Sequence, residues 1–164
     1  MNKIDKKFLE ACEEGDLKLM KECLEKGADI NVRTKDNKLG IDLAVDSKHM
    51  ELAKFLEMEH IKKSDLKAKV KKLFMAILKE DVKGIEKALK DGVNIESLNQ
   101  FKNTALSLSC EYNLFEVAKL LIKKGANVNA SNEGFTPLMW AASLGYLKLL
   151  KLLLKNAADP NAKC

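Results

Sequence analysis

Apolar residues along this chain recur on two scales. Locally they follow a helical period: Leu147, Leu149, Leu150, Leu152, Leu153 and Leu154 build an apolar face, while Lys148, Lys151 and Lys155 fall at helical intervals along a wet one. Over a longer range whole segments return. The run Leu120–Ala130 aligns with Glu22–Val32 and with Lys87–Glu96, and a fainter copy runs from Lys151 to Ala162. A small residue in mid-helix (Ala11, Ala44, Ala76, Ser109, Ala141) recurs at separations of 33, 32, 33 and 32 residues. The series Leu17, Met50, Val82, Phe115, Leu147 keeps the same intervals. Three landmarks in one register define five repeating units.

Each unit predicts two short helices. In the fifth, Leu138-Met139-Trp140-Ala141-Ala142-Ser143-Leu144 forms the first, Gly145 breaks it, and the Leu-rich second helix follows. Gly125 stands where a left-handed C-cap is needed, and a polar turn comes after it. Small residues on the first helix let the pair approach closely. Neither helix can bury its apolar face alone, so the units must stack.

The residues Phe135-Thr136-Pro137-Leu138, then Ala141-Ala142 and Gly145, the Leu-rich helix, and Gly125-Ala126-Asn127-Val128-Asn129 closely resemble the ankyrin repeat. The resemblance covers essentially the whole chain as a single domain, 1–164, of five units at about 4–32, 33–65, 66–97, 98–130 and 131–164. It implies an all-α solenoid of helix-turn-helix units with short turn or hairpin fingers. It also implies a protein-binding module that works through its concave face and finger tips, with no cofactor. The fifth unit is closest to the family pattern. The fourth follows, with Thr104-Ala105-Leu106, while the first three offer only Lys6-Lys7-Phe8-Leu9, Leu39-Gly40-Ile41-Asp42 and Lys71-Lys72-Leu73-Phe74. The family's histidine after Thr-Pro-Leu is replaced by Met139 and Ser107 in the two best units, so its hydrogen bonds at the finger base must be lost or replaced.

The third unit departs further, because Ile61 to Lys72 lacks Gly, Pro and Asn. Leu66, Val70, Leu73 and Ile77 form a helical stripe, with Ser64 placed as an N-cap and Asp65 in the first turn. This predicts a helix beginning near Asp65, about two turns early, in place of a finger. A disordered lysine-rich loop is the alternative.

Composition narrows the class. Apolar residues make up 46% of the 164, enough to offset the chain entropy of folding, which excludes general disorder. No 18-residue stretch lacks charge, which excludes a membrane-spanning helix. The Met1–Lys7 segment has no apolar core or cleavage site, so a secretory signal is not expected and the cytoplasm is the expected address, with other export routes left open. The net charge of +5 comes from 29 basic and 24 acidic residues, and Arg33 is the only arginine. Nucleic-acid readers rely on arginine forks and stacked aromatics, and only 5% of this chain is aromatic, so a nucleic-acid partner is disfavoured.

The charge is unevenly placed: residues 1–60 hold 11 positive and 14 negative side chains, residues 61–91 hold 10 and 5, and residues 92–164 hold 8 and 5. Lys62, Lys63, Lys67, Lys69, Lys71 and Lys72 fall within twelve residues. They read first as a solvated helix face. The sharper alternative is a contact for an acidic partner or for a polyanion such as nucleic acid or anionic lipid.

No catalytic or metal motif stands out. Cys12 and Cys110 occupy the position of Ala142, and Cys23 that of Leu153, so all three read as small buried hydrophobes in a reducing compartment, with Cys164 terminal and free. His49 stands at the start of a second helix, a structural position, and His60 beside Ile61-Lys62-Lys63 reads as solvated. Neither histidine has a nucleophile or paired carboxylate at a meaningful spacing, so the chain reads as a non-enzyme with no cofactor or metal.

Partner-binding candidates lie two residues beyond the small core residue. The series Glu13-Glu14, Asp46-Ser47, Leu78-Lys79, Glu111-Tyr112, Ser143-Leu144 is acidic at its start and more apolar toward its end. By family resemblance these positions face the concave groove. Tyr112 and Leu144 read as partner anchors, flanked by Glu111 and Ser143, with Phe101, Trp140 and Phe135 as further candidates. For Trp140 the competing reading is packing between first helices, and for Phe135 folding under its finger. The first unit, with Glu10, Lys18, Lys21 and Glu22, reads as a cap. The fifth keeps an internal-type sequence, so its flank is expected to meet further repeats, another molecule, or a second copy in self-assembly.

Overall fold

The computed structural model describes residues 1–131 and 135–162. Among them are ten helices and no strands, in five consecutive pairs. Two compact units contain them, Met1–Lys63 and Ser64–Cys164. The first unit holds α1 (Lys3–Glu14), α2 (Leu17–Glu25), α3 (Gly40–Asp46) and α4 (Met50–Lys63). The second holds α5 (Ala68–Leu78), α6 (Val82–Lys90), α7 (Ala105–Glu111), α8 (Phe115–Lys123), α9 (Pro137–Ser143) and α10 (Leu147–Lys155). Within each unit every helix packs on its hairpin partner, and α1 packs on α3, α5 on α7, and α7 on α9. This is the all-α repeat architecture that the register predicts.

The mid-helix small residues have a specific task. Ala11, Ala44, Ala76, Ser109 and Ala141 are all buried. The carbonyl of each accepts a hydrogen bond from the backbone five residues on: Asp16 at 3.0 Å, His49 at 2.7 Å, Asp81 at 2.9 Å, Leu114 at 2.8 Å and Tyr146 at 2.8 Å. That closure needs a left-handed residue just before the donor. Gly15, Lys48, Glu80, Asn113 and Gly145 fill the place, all with φ between 55° and 77°. The chain reverses there, and the residue after the turn starts the second helix. Asp16 and Asp81 cap that start by accepting from Leu19 N at 2.9 Å and Gly84 N at 3.0 Å.

Second helices end by the same device. Gly27, Gly92, Gly125 and Ala157 have positive φ, and the next residue donates back to Cys23, Ala88, Leu121 and Leu153 respectively. An Asx turn follows: Asp29, Asn94, Asn127 and Asp159 each accept from the backbone two residues on, at 2.8 to 3.0 Å. Neighbouring repeats are tied through these turns. Glu96 of repeat three accepts from Asn127 N (2.8 Å) and Asn129 of repeat four from Asp159 N (2.7 Å), while within repeat one Asp5 accepts from Asp29 N (3.0 Å).

The second repeat breaks this pattern, and the third repeat's start differs from the sequence expectation as a result. Counting in register from Gly27, the left-handed position of repeat two is His60. His60 does not turn left-handed, and α4 runs on for 14 residues to Lys63, where α2, α6, α8 and α10 each have 9. No helix starts near Asp65, and Ser64 is not its N-cap. The segment 64–67 is non-helical, and α5 begins at Ala68 with Lys67 at its N-cap and no side-chain cap bond. Its 11 residues exceed the 7 of α3, α7 and α9 by about one turn. His60 is buried at 7% exposure, not solvated. Burial pushes its pKa down, Lys63 adds to that, and the weaker pull of Asp42 and Asp29 opposes it.

Fingers survive elsewhere. Arg33 bridges Leu39 around a turn in which Asn37 has φ 65°, and Leu98 bridges Thr104 around Lys102 at 61°. Buried Asn99 holds the second of these by accepting from Phe101 N (3.0 Å) and Asn103 N (2.8 Å). At the missing-histidine positions, Ser107 Oγ accepts from the Thr104 hydroxyl (3.1 Å), while Thr104 also caps Ser107 N. In repeat two, Asp42 accepts from Leu39 N at 2.7 Å. At Met139 only the backbone takes part, its N–H reaching Thr136 Oγ1 at 3.3 Å.

Candidate partner-binding site

The candidate residues of repeats four and five lie in the second unit, at the ends of α7 and α9. Tyr112 and Leu144 are the C-caps of these helices, so the same backbone turn places both. Their environments differ. Tyr112 is buried at 6% exposure, so its ring supports the surface from beneath and does not project from it. Glu111 is also buried, with Asn103 Nδ2 donating to its carboxylate at 3.1 Å. Tyr146, on the repeat-five turn, has its phenol pKa raised, first by burial and then by the Glu111 charge. The repeat-four end of the candidate surface is thus an interior hydrogen-bonded cluster.

Repeat five supplies the open part. Leu144 and Trp140 are half-buried and Ser143 is exposed, its hydroxyl donating to the Trp140 carbonyl at 3.1 Å. Phe135 is 38% exposed and its ring lies 4.9 Å from that of Trp140 at 50°. Such tilted aromatic pairs are favourable beyond their area alone. The Trp140 Nε1 atom is buried with no hydrogen-bond acceptor among the described residues. Phe101 is half-buried on the finger before α7. On α10, Leu147 and Leu154 are 68% and 49% exposed, so the apolar character continues onto the second helix. Sequence reasoning did not single these two out as surface, because in a helix of that composition every leucine reads as core.

The six clustered lysines are divided between the two units. Lys62, paired with Glu59, and Lys63 end α4 in the first unit. Lys67, Lys69, Lys71 and Lys72 belong to the second unit, where Lys71 is half-buried and the other three are exposed. Cys12, Cys23 and Cys110 are free and buried, as their repeat positions required. Burial pushes the Cys12 and Cys110 thiols up to about 12, with Cys23 adding at Cys12, so both stay protonated and unreactive. Cys164 lies outside the described residues. Among the described residues, no helix is long and apolar enough to cross a membrane.

Helix pairs stacked at this period, with a shared turn ladder and Asx-turn links, define a helical repeat solenoid. The family model described as ankyrin repeats (3 copies) matches residues 73–164, more than half of the chain. The chain belongs to the ankyrin repeat family. Relatives extend the likeness toward the N-terminus: a putative ankyrin repeat protein of fowlpox virus is 32% identical over 155 residues, covering 91% of this chain and 20% of its own length. An ankyrin repeat and KH domain-containing protein, mask-1 of Caenorhabditis elegans, is 30% identical over 155 residues, covering 93% of this chain and 6% of its own length. A putative E3 ubiquitin-protein ligase of Arabidopsis thaliana, XBAT34, is 37% identical over 92 residues, covering 54% of this chain and 24% of its own length. The chain therefore spans a quarter or less of these relatives. Ankyrin repeats are in general protein–protein interaction modules and typically non-enzymatic.

Proposed function

We propose that this chain binds a partner protein over repeats four and five, acting by recognition and not by catalysis, without a cofactor. The observation that carries the reading is the partly exposed Phe135–Trp140 ring pair, continuous along α9 with Leu144 and Ser143. Aromatic side chains on a rigid helix end are the usual anchors of an interface, since they bury much area at little entropic cost. Phe101 on the neighbouring finger extends the surface, while Glu111 and Tyr112 hold it in place from below. The unbroken 33-and-32-residue register across Lys63–Ser64 supports treating 1–164 as one ankyrin-repeat domain. The buried free thiols fit a reducing compartment such as the cytoplasm.

The test is a capture comparison with purified chain as bait and bound proteins read by mass spectrometry. Phe135→Ala with Leu144→Ala is expected to keep the helical circular-dichroism signal and to lose the partner that the unmodified chain retains. Tyr112→Ala is the wrong probe, because removing a buried ring perturbs the fold itself. Equal recovery of the same partner by the folded double variant overturns the assignment of the site.

A further inference from the structure

We propose that the cleft between α5 and α6 docks an acidic segment of a partner protein, one presenting an apolar side chain flanked by carboxylates. The cleft has a volume of about 400 Å³. Met75, Ala76 and Ala88 form its floor, and Lys72, Lys79 and Lys87 stand around it. All three lysines are exposed, and none is in an ion pair among the described residues. Their charge is therefore available to a ligand. A fourth lysine on the rim, Lys69, is already engaged, donating to the Asp91 carbonyl at 3.1 Å.

The arrangement is particular to repeat three. In register, Met75, Lys79 and Lys87 correspond to Leu108, Tyr112 and Leu120 in repeat four, of which Leu108 and Tyr112 are buried. They correspond to Trp140, Leu144 and Leu152 in repeat five. Basic residues here are not required by the stacking of the fold. The lysine run at 62–72 pointed to this region, but Lys79 and Lys87 come from further along the chain, and only the α5–α6 hairpin brings them beside Lys72.

The chemistry favours a short acidic peptide over a nucleic-acid or lipid polyanion. A phosphate backbone gains nothing from an apolar floor, and the lining includes neither arginine nor an aromatic ring for base stacking. Acidic groups also bound the cleft: Asp81 caps the start of α6 and Asp91 its end. The 9-residue helix between them is about 13 Å long. A continuous polyanion running the length of the cleft would meet both carboxylates. A peptide with two or three acidic residues around one apolar side chain fits between them. Charge complementarity supplies the encounter and the floor supplies selectivity. This surface is independent of the one proposed on repeats four and five.

The experiment titrates the 15N-labelled full chain with a synthetic, end-blocked Glu-Glu-Leu-Glu peptide, its Leu→Ala analogue, and an oligothymidylate. Amide shifts are expected at Met75, Lys79, Lys87, Ala88 and their neighbours, with weaker binding of the Ala analogue and at higher salt. Lys79→Glu with Lys87→Glu should weaken peptide binding by about tenfold or more. If that variant loses its helical signal, Lys79→Gln with Lys87→Gln provides the same reading at lower cost to the fold. Absence of shifts at millimolar peptide, shifts elsewhere on the chain, or unchanged affinity in a folded variant overturns the proposal. Equal response of the same amides to the oligothymidylate, with no preference for Leu over Ala, also overturns it and reassigns the cleft to polyanions.

Discussion

Gly15 and Gly145 occupy the same turn of the first and fifth repeats, with φ of 77° and 75°, yet replacing each with alanine should have different consequences. A side chain in the left-handed region costs roughly 1–2 kcal/mol. The restricted unfolded chain returns about 0.4–1 kcal/mol of that. At Gly145 an added Cβ meets nothing within 4 Å, so the net loss should be about 0–1.6 kcal/mol. At Gly15 the same atom would sit 2.5 Å from His49 Nδ1 and 2.6 Å from Cε1, inside the imidazole ring's contact distance. The half-buried ring must move, and overpacking of this kind adds roughly 1–3 kcal/mol. The assay is urea unfolding followed by far-ultraviolet circular dichroism, compared at constant m-value so that a change of cooperativity is recognised. Gly15→Ala should be the more damaging by about 1–3 kcal/mol. In the cycle with His49→Ala, the double variant should lose less than the sum of its parts. If the two glycine variants agree within about 0.5 kcal/mol and the cycle is additive, His49 does not pack as described and the argument fails.

Two further predictions concern titration and packing. His60 has its pKa held below the ordinary value, so the unfolded chain takes up its proton first as pH falls. Its contribution to stability is complete well above pH 6.5 and is lost as pH drops through 6.5 toward the lower folded-state value. Urea midpoints at pH 7.5, 6.5 and 5.5 should decline more for the unmodified chain than for His60→Gln, and parallel declines would refute the assignment. On α10, Leu153→Ala should cost about 2–5 kcal/mol because the side chain is fully buried. Its neighbour Leu154→Ala, at 49% exposure, should change stability by about 0.5 kcal/mol or less, and equal losses would show that the exposed flank is covered in solution.

The repeat period, the helix pairs and the buried cysteines were legible in the sequence because each is written in residue type. Ala11, Ala44, Ala76, Ser109 and Ala141 are small and buried where each hairpin closes, and Cys12, Cys23 and Cys110 are buried as well. The left-handed turn between helices was legible only in part. Glycine marks it in repeats one and five, while Lys48, Glu80 and Asn113 adopt the same φ without a matching side-chain signal. There the closing bonds to Ala44, Ala76 and Ser109 determine the conformation, and these emerge only once both helices exist. Exposure of the candidate site was less legible still. Tyr112 and Leu144 share a register position and a backbone turn, but one is buried and the other half-buried, because burial depends on the repeat that packs alongside.

The misplaced start of α5 has a more specific cause, and it shows how one position can redirect its neighbours. The apolar stripe from Leu66 to Ile77 and the Ser64-Asp65 pair are real helix-start signals, so local propensity favoured a helix from Asp65. The deciding residue lies earlier, at His60. Where Gly27, Gly92, Gly125 or Ala157 turns left-handed, the chain leaves its second helix and enters an Asx turn. His60 instead stays helical and becomes buried, so α4 continues through Ile61, Lys62 and Lys63. Residues available for a finger are consumed by that extension, and Ser64 through Lys67 remain as the link. The helix that begins at Ala68 then recovers about one extra turn of the stripe, with Leu73 and Ile77 fully buried and Val70 partly so. Both the long α4 and the absent finger thus go with position 60 remaining helical, a departure that is recognised only after the five repeats have been placed in one register.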